Sequence, residues 1–229
     1  MRAMILAAGR GERMRPLTDK MPKSMLEVSG KPLIQHHVED LVQAGIVDIV
    51  INHALFGEQI ETYLNDGKSL GASISYSEEG DHPLETAGGI IKALPLLGDQ
   101  PFVTVNADIW TDFPFQALLH ECDSLSGVLA NNLAHLVLVD NPVHNPNGDF
   151  ALSDGKVLNQ GEPMLTFSGI SIFNPEFFKD CPSGSKPLAP ILRQASSQGR
   201  VTGSHYQGRW QDIGTPERLS DLRQSQENK

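Results

Sequence analysis

The sequence has few cysteines, little positive charge and no long apolar run, and each absence disfavours a class of protein. Only Cys122 and Cys181 occur, too few for a disulfide framework and without zinc-site spacing, so we expect inert thiols in a reducing compartment. Lys and Arg number 18 against 28 Asp and Glu, which predicts no nucleic-acid or membrane partner. No segment approaches the ~20 apolar residues of a membrane span. Small-molecule chemistry is the expectation that remains.

The length and the 39% hydrophobic content predict a single domain. We expect this domain to cover residues 1–223 and a disordered polar tail to cover residues 224–229. The apolar run near Met1 is too short for a signal peptide and meets glycine and charge at once, so a cytoplasmic location is expected. The sequence leaves open a monomer or a small homo-oligomer.

The first half of the chain alternates strand-like and helix-like segments. This pattern predicts an α/β fold with a doubly wound, mostly parallel sheet, in which ligands bind at the carboxyl ends of the strands. The predicted strands are residues 3–7, 47–51, 72–76 and 102–105, and the predicted helices are residues 32–45, 56–64 and 86–94.

From about Gly127 the extended segments become shorter. Turn sequences at residues 145–148 and 154–155 predict antiparallel hairpins beside the parallel core. The last helix is expected to begin with Thr215 as N-cap and Pro216 in its first turn. The other segments predicted here are strands at residues 128–130, 136–139, 165–173 and 201–206 and a helix at residues 188–195.

A glycine-rich loop with five basic residues, LAAGRGERMRPLTDKMPK, follows the first strand at residues 6–23. Small residues let backbone N–H groups approach a phosphate or a base, while Arg and Lys supply positive charge. The loop is not a dinucleotide fingerprint, because Met14 stands where a third glycine is required, and it lacks the Gly-Lys-Ser/Thr of a Walker A loop. A Gly-x-Gly on its own is as often an ordinary surface turn as it is a phosphate-binding loop.

The whole segment resembles L-A-A-G-x-G-x-R-x-x-P-L-T-x-x-x-P-K, the signature of the sugar-phosphate nucleotidyltransferase family. The resemblance implies a Rossmann-like nucleotidyltransferase fold, with added hairpins that hold the sugar. It also implies a nucleoside triphosphate, expected to be UTP, and a sugar 1-phosphate as substrates, with Mg²⁺ as cofactor. By the same resemblance Arg13 grips the leaving phosphates and Lys23 reaches the α-phosphate, both as catalytic residues. Further nucleotide contacts are expected from Ala8, Gly9, Gly11 and Glu12.

Two carboxylates are candidate metal ligands. Asp108 ends the apolar strand FVTVNAD, where a helix-capping role is the alternative, and Asn106 precedes it as a candidate nucleotide contact. Asp212 lies in WQDIGTPE, where Thr215 and Pro216 already account for the start of the last helix. The resemblance makes Asp108 a catalytic residue and both carboxylates ligands of Mg²⁺, a cation that prefers oxygen.

The segment PLETAGGI, residues 83–90, is similar to the part of the family that reads the base and ribose. Pro83, Thr86 and Gly88 are therefore candidate nucleotide contacts, although Glu85 replaces the usual first glycine. The plainer alternative is that Thr86 caps a helix and the glycines allow close packing. Asn52, just after the second strand, is a weaker candidate of the same kind.

Sugar contacts are expected from the hairpin region, by resemblance to an Asn/Gly turn and a Glu-Lys-Pro segment. Asn147 and Gly148 match the turn, and Asp140 and Glu162 are candidate ligands of hydroxyl or amide groups. The lysine of Glu-Lys-Pro is missing here. Lys186 or Arg209 is expected to replace it, or the acceptor is held differently.

The short chain and these altered segments look most like family members that use UTP and N-acetylmuramate 1-phosphate in peptidoglycan recycling. Guanylyltransferases acting on mannose 1-phosphate, uridylyl- or thymidylyltransferases acting on glucose 1-phosphate, and choline-phosphate cytidylyltransferases are the alternatives. A catalytically silent nucleotide-sugar sensor is the non-enzymatic alternative. The retention of Arg13, Lys23, Asp108 and Asp212 favours an enzyme.

Overall fold

The computed structural model describes residues 1–80, 83–119 and 132–227. Within these ranges, one nine-stranded sheet and two short two-stranded sheets are present. The order in the large sheet is β5-β4-β1-β6-β11-β8-β12-β10-β9. The strands are β1 (Arg2–Leu6), β2 (Glu27–Val28), β3 (Lys31–Pro32), β4 (Asp48–His53), β5 (Ser73–Glu78), β6 (Phe102–Asn106), β7 (Ile109–Thr111), β8 (Ala134–Val139), β9 (Phe150–Ser153), β10 (Lys156–Leu158), β11 (Met164–Phe173), β12 (Val201–Tyr206) and β13 (Trp210–Asp212).

The first half of the chain builds the parallel part of the large sheet, as its alternating pattern predicts. Strands β5, β4, β1 and β6 run parallel, and the central strand β1 is apolar because helices cover both faces of the sheet. Leu6 is in register with Asn52 of β4 and with Asn106 of β6. Three strands therefore end at the same edge of the sheet, where a doubly wound fold binds its ligands.

Helices pack on both faces of this sheet. Ile34 and Val38 of the first helix belong to the core on one face, and Ala87 and Ile90 of the third helix belong to the core on the other. The expected doubly wound arrangement is confirmed. The helices are α1 (Leu33–Gln43), α2 (Gly57–Leu64), α3 (Glu85–Leu97), α4 (Leu188–Ser197) and α5 (Pro216–Glu227).

The second half extends the sheet with mixed pairing. Strand β11 joins β6 and β8 antiparallel, β8 and β12 are parallel, and β9 and β10 form a hairpin around Asp154-Gly155. Strand β11 is irregular between Phe167 and Ser171, where Gly169 has a φ of +84°. The predicted hairpins beside the parallel core are present. The strand expected at residues 128–130, like Cys122, lies outside the described residues.

Three boundaries differ from the expectations. Helix α1 begins after Pro32, which pairs with Glu27 in the β2–β3 hairpin instead of entering the helix. Helix α3 begins at Glu85, so Thr86 is not its N-cap. Helix α5 continues to Glu227, which makes residues 224–227 helical instead of disordered, because this polar stretch has no Gly or Pro to end the helix. None of the described helices combines the length and apolar character needed to cross a membrane.

Candidate active site

A buried hydrogen-bond chain ties together the segments that follow β1, β4 and β5. The Ala7 N–H donates to Asn52 Oδ1 at 2.9 Å, and Asn52 Nδ2 donates to Glu79 Oε1 at 2.6 Å. The other carboxylate oxygen, Glu79 Oε2, accepts from the Leu84 N–H at 2.6 Å. Asn52 therefore uses both ends of its amide on the protein. Sequence reasoning missed Glu79, although an acidic residue just after a predicted strand was a signal for it.

A cleft of about 190 Å³, open to solvent, lies at this edge of the sheet. It brings together residues from the glycine-rich loop, from the strand ends and from the start of α3, as the sequence predicts. Glu79 and Glu85 also line it. Among the residues expected from the sequence, the cleft is lined by Ala8, Gly9, Lys23, Asn52, Pro83, Thr86, Asn106 and Asp108.

The glycine-rich loop folds over Lys23 through a tight turn at Gly11. Gly11 has a φ of +62°, and a Cβ there would lie 3.0 Å from Thr18 and 3.2 Å from Lys23. Thr18 Oγ1 donates to the Gly11 carbonyl at 2.7 Å and fixes the turn. Only glycine combines this conformation with such close packing. The loop lines a second hollow, adjoining the cleft, with Gly9, Arg10, Gly11, Glu12, Arg13, Met14, Lys23, Asp108 and Gly214.

Lys23 and Asp108 meet where the cleft and this hollow join. Lys23 Nζ donates to Asp108 Oδ2 at 2.6 Å. Asp108 is followed by strand β7 and not by a helix, so the helix-capping alternative is wrong. Asp108 stands after the carboxyl end of β6, beside the backbone of the glycine-rich loop.

Asp212 lies beside Asp108 because β13 pairs antiparallel with β7. Asp212 is opposite Ile109, and the Ile213 N–H donates to the Asp108 carbonyl at 2.7 Å. Arg218 Nη1 donates to Asp212 Oδ2. Asp212 Oδ1 is buried and has no hydrogen-bond partner within the described residues; His144 Nε2 lies 2.9 Å away, outside hydrogen-bonding geometry. Asp108 and Asp212, 104 positions apart in the sequence, thus lie on neighbouring paired segments.

The donor set of this edge fits Mg²⁺. Among the described residues, Asp212 Oδ1 has no hydrogen-bond partner, although His144 Nε2 lies 2.9 Å from it, and Asp108 uses only Oδ2 in its ion pair with Lys23. Proteins commonly hold Mg²⁺ through one or two carboxylates while substrate phosphates complete the coordination. In the described part of the chain, no cluster of three or more His, Cys, Asp or Glu side chains could hold a metal ion.

Sequence reasoning missed Arg218 and His144, which both reach Asp212. Arg218 lies in the first turn of α5, where its N–H donates to Thr215 Oγ1 at 3.4 Å, so the predicted N-cap is present. Its guanidinium crosses Gly214, where an added Cβ would clash with Nη2. Arg218 directly follows the motif used for the prediction. His144 had no comparable signal in the sequence.

The four expected sugar contacts lie away from the cleft lining. Asp140 accepts a hydrogen bond from His205 Nε2 at 2.8 Å, if that nitrogen carries the proton, and Asn147 and Glu162 are exposed. Gly148 turns the chain with a φ of +64°, and a Cβ there would lie 2.9 Å from Asn141 Oδ1. Asp140, Asn147 and Gly148 lie in the same segment as His144, whose Nε2 is 2.9 Å from Asp212 Oδ1.

Gly88, expected at the nucleotide, faces the protein interior. The Ala87 and Gly88 N–H groups donate to the Lys186 carbonyl at 3.0 and 3.2 Å, and a Cβ on Gly88 would clash with the Gly184 carbonyl. The close-packing alternative therefore accounts for Gly88, which is outside the cleft lining.

Neither lysine replacement named from the sequence stands in the cleft lining. Arg209 Nε donates to Asp112 Oδ2 at 2.8 Å, and its guanidinium lies over the Trp110 ring. Lys186 lines a separate hollow near Cys181. Arg218, which also lies outside the cleft lining, pairs with Asp212, while Lys23 pairs with Asp108.

Comparison with known proteins agrees with this geometry. A family described as Nucleotidyl transferase matches residues 2–148, more than half of the chain. The chain belongs to this nucleotidyltransferase family. It is 53% identical over 225 residues to an N-acetylmuramate alpha-1-phosphate uridylyltransferase from Neisseria meningitidis, covering 96% of both chains. A protein of the same name from Caulobacter vibrioides is 36% identical, covering 94% of this chain and 92% of the relative.

Solved nucleotidyltransferase structures share the fold. A Bacillus anthracis structure described as a glucose-1-phosphate thymidylyltransferase superposes with a TM-score of 0.86 at 21% identity, covering 98% of this chain and 94% of the other. A UDP-glucose pyrophosphorylase in complex with UDP-glucose gives a TM-score of 0.79 at 20% identity, covering 99% and 98%. The Rossmann-like nucleotidyltransferase fold expected from the sequence is confirmed, and the protein is an enzyme of this class.

Proposed function

We propose that the protein is a uridylyltransferase that makes UDP-N-acetylmuramate and pyrophosphate from UTP and N-acetylmuramate 1-phosphate, in peptidoglycan recycling. The observation that carries this proposal is the 53% identity to a relative of that name over 96% of both chains. The Lys23–Asp108 ion pair at the cleft and the neighbouring strand that carries Asp212 support it, since such a transfer needs groups that neutralise phosphate charge. We place the reaction in the cytoplasm as part of the same proposal.

The triphosphate of UTP is proposed to lie along the glycine-rich loop, with Arg13 on the leaving phosphates and Lys23 at the α-phosphate. A Cβ at Gly9 would meet no atom of the described residues within 4 Å, so packing among these residues does not require a glycine there. The close approach of a ligand explains it. Ala8, Gly11, Glu12 and Asn106 belong to the same proposed nucleotide site.

In the proposed reaction an oxygen of the sugar phosphate attacks the α-phosphorus in line. The bond from that phosphorus to the oxygen bridging to the β-phosphate breaks, and pyrophosphate leaves without a covalent enzyme intermediate. Arg13 and Lys23 bind and orient the phosphates, so this chain acts by positioning and by neutralising charge. Asp108 and Asp212 would hold Mg²⁺, which, when bound, supplies further neutralisation of phosphate charge.

At the acceptor end, we propose that Arg218 takes the place of the missing lysine. It lies beside Asp212, together with His144. A guanidinium fork suits a phosphate, to which it can donate two hydrogen bonds. The sugar contacts proposed at Asp140, Asn147, Gly148 and Glu162 would then act at the rim of the site.

The proposal is tested by pyrophosphate release with Mg²⁺ over a matrix of substrates. UTP, GTP, CTP and dTTP are combined with the 1-phosphates of N-acetylmuramate, N-acetylglucosamine, glucose and mannose and with phosphocholine. We expect one dominant pair, UTP with N-acetylmuramate 1-phosphate. A dominant GTP and mannose 1-phosphate pair would overturn it, since a Xenopus laevis mannose-1-phosphate guanyltransferase is 30% identical over 94% of this chain. If no substrate pair releases pyrophosphate, the result would favour the catalytically silent nucleotide-sugar sensor.

A further inference from the structure

Glu85 is held in a backbone conformation that suits glycine. Its φ is +57°, in the left-handed region, where a side chain costs conformational energy. It is the first residue of α3 and lines the cleft. A strained residue at the edge of a ligand cleft points to a function that outweighs the strain.

The neighbours of Glu85 hold it in this conformation. The Leu84 N–H donates to Glu79, and the Leu84 carbonyl accepts from the Lys186 N–H at 2.9 Å. On the other side the Ala87 and Gly88 N–H groups both donate to the Lys186 carbonyl. Because the backbone is held before and after Glu85, the direction in which its Cα–Cβ bond leaves the backbone is held as well.

The carboxylate of Glu85 is free to meet a ligand. Four charged residues line the cleft, and three of them bind the protein: Lys23 pairs with Asp108, and Glu79 accepts from Asn52 and Leu84. For Glu85 no side-chain hydrogen bond or ion pair is found within residues 1–80, 83–119 and 132–227. Its exposure leaves both carboxylate oxygens available as acceptors.

Glu85 lies in a part of the cleft that the phosphate-side hollow does not share. The hollow joins the cleft through Gly9, Lys23 and Asp108, whereas Pro83, Glu85 and Thr86 line the cleft alone. Phosphates would be repelled by a free carboxylate and attracted to Lys23. With the phosphates at the loop, Glu85 faces the nucleoside.

We infer that Glu85 accepts hydrogen bonds from the 2′- and 3′-hydroxyls of the nucleotide ribose and selects ribonucleotides over deoxyribonucleotides. This inference rests on the proposed function. A vicinal diol offers two donors to one carboxylate, a pairing that nucleotide-binding folds use. The uracil edge offers a single N–H between two carbonyl oxygens that would repel a carboxylate.

The test compares UTP with 2′-dUTP in the full-length protein, for the wild type, Glu85→Gly and Glu85→Gln. Binding is measured by calorimetry and turnover by pyrophosphate release with N-acetylmuramate 1-phosphate. We expect Glu85→Gly to lower the affinity for UTP about 10-fold or more, the loss expected for hydrogen bonds to a charged group. The loss for dUTP should be smaller, because dUTP keeps only the 3′-hydroxyl as a donor to Glu85. Glu85→Gln should retain part of the selectivity, because its amide oxygen still accepts.

Stability separates this role from a structural one. Glu85→Gly should raise the melting temperature, since it relieves the left-handed conformation while it weakens UTP binding. Asp154→Gly is the matched control: Asp154 is exposed with a φ of +49° in the distant β9–β10 turn. It should leave the ratio of UTP to dUTP affinity at the wild-type value.

Three results would overturn the inference: equal binding of UTP and dUTP by the wild type, an equal loss of both in Glu85→Gly, or a changed preference among bases with an unchanged ribose selectivity. The last result would assign Glu85 to the base. Failure of the proposed function looks different, because the wild type would then bind neither UTP nor dUTP.

Discussion

Lys23 and Asp108 form an ion pair whose two partners differ in exposure. The side chain of Lys23 is 10% exposed and that of Asp108 is 44% exposed. Loss of the aspartate would leave a buried ammonium without a counter-charge, whereas loss of the lysine would leave a carboxylate that water can reach. Removing one partner of a buried pair is costly, while exposed pairs contribute little.

Asp108→Asn should therefore destabilise the protein more than Lys23→Met, which keeps the apolar stem. We expect a loss of about 1–2 kcal/mol for the first substitution and under about 1 kcal/mol for the second, measured by urea unfolding. Both variants should lose at least about 100-fold in turnover, as when a preorganised charge is removed from an active site. Wild-type turnover in either variant would remove that residue from the proposed catalytic set.

Asn52→Asp tests the hydrogen-bond chain from Ala7 to Leu84. The new carboxylate would face Glu79, which now accepts from the Asn52 amide at 2.6 Å. We expect a loss of about 2–3 kcal/mol at pH 8, since two buried carboxylates would be adjacent. The loss should shrink as the pH falls and one carboxyl group becomes protonated, and a pH-independent loss would contradict this account. Asn52→Leu serves as the control, because it removes the hydrogen bonds without adding charge.

Burial lowers the pKa of His37 to about 4, against 6.5 for a free imidazole. Between pH 6.5 and 4 the unfolded chain therefore binds a proton that the folded protein does not, and the free energy of unfolding falls as the pH falls. The stability contributed by keeping His37 neutral is fully present above pH 6.5 and is lost as the pH falls towards 4, by about 3 kcal/mol at most. His37→Gln keeps a donor for the Ile109 carbonyl, which His37 Nε2 contacts at 2.9 Å.

Urea titrations from pH 7.5 to 4 measure this effect. The wild type should lose more stability over this range than His37→Gln does. Parallel curves for the two proteins would show that His37 titrates normally in the folded protein.

We expect alanine to act differently at two glycines of the proposed site, Gly9 and Gly214. At Gly9 an added Cβ meets no protein atom, so Gly9→Ala should keep its melting temperature and lose UTP affinity, by about 10-fold if the methyl group displaces one phosphate hydrogen bond. At Gly214 the Cβ would clash with Arg218 and lie 2.9 Å from Asp212 Oδ2. Gly214→Ala should weaken Mg²⁺ binding, measured by calorimetry with UTP present. Normal UTP affinity in Gly9→Ala would move the nucleotide away from the loop.

The sequence predicts the nucleotide side of this site better than the acceptor side, for a physical reason. Loops at the carboxyl ends of parallel strands are placed by the sheet itself, so Gly9, Lys23, Asn106 and Asp108 meet once β1 and β6 are adjacent. The pairing of β13 with β7 is set by tertiary structure, and only the resemblance to the family joined Asp212 to Asp108.

Residues that act through other residues are harder to find in a sequence. Glu79 and His144 match no motif, and their roles follow from contacts with Asn52 and Asp212 across 27 and 68 positions of the chain. Gly88 shows the opposite case. A glycine in the expected motif is required for packing against Gly184, which sequence similarity does not distinguish from a ligand contact.

The pairing of β13 with β7 also has a consequence for biosynthesis. Asp212 and Arg218 are translated more than 100 codons after Asp108, so the ribosome releases most of the sheet before the second carboxylate exists. A nascent chain that has already folded its parallel strands could bind a nucleotide at the glycine-rich loop but would lack the carboxylate of Asp212. Under the proposed mechanism, catalytic competence arrives late in synthesis, and a chain stalled before Trp210 is expected to show no turnover.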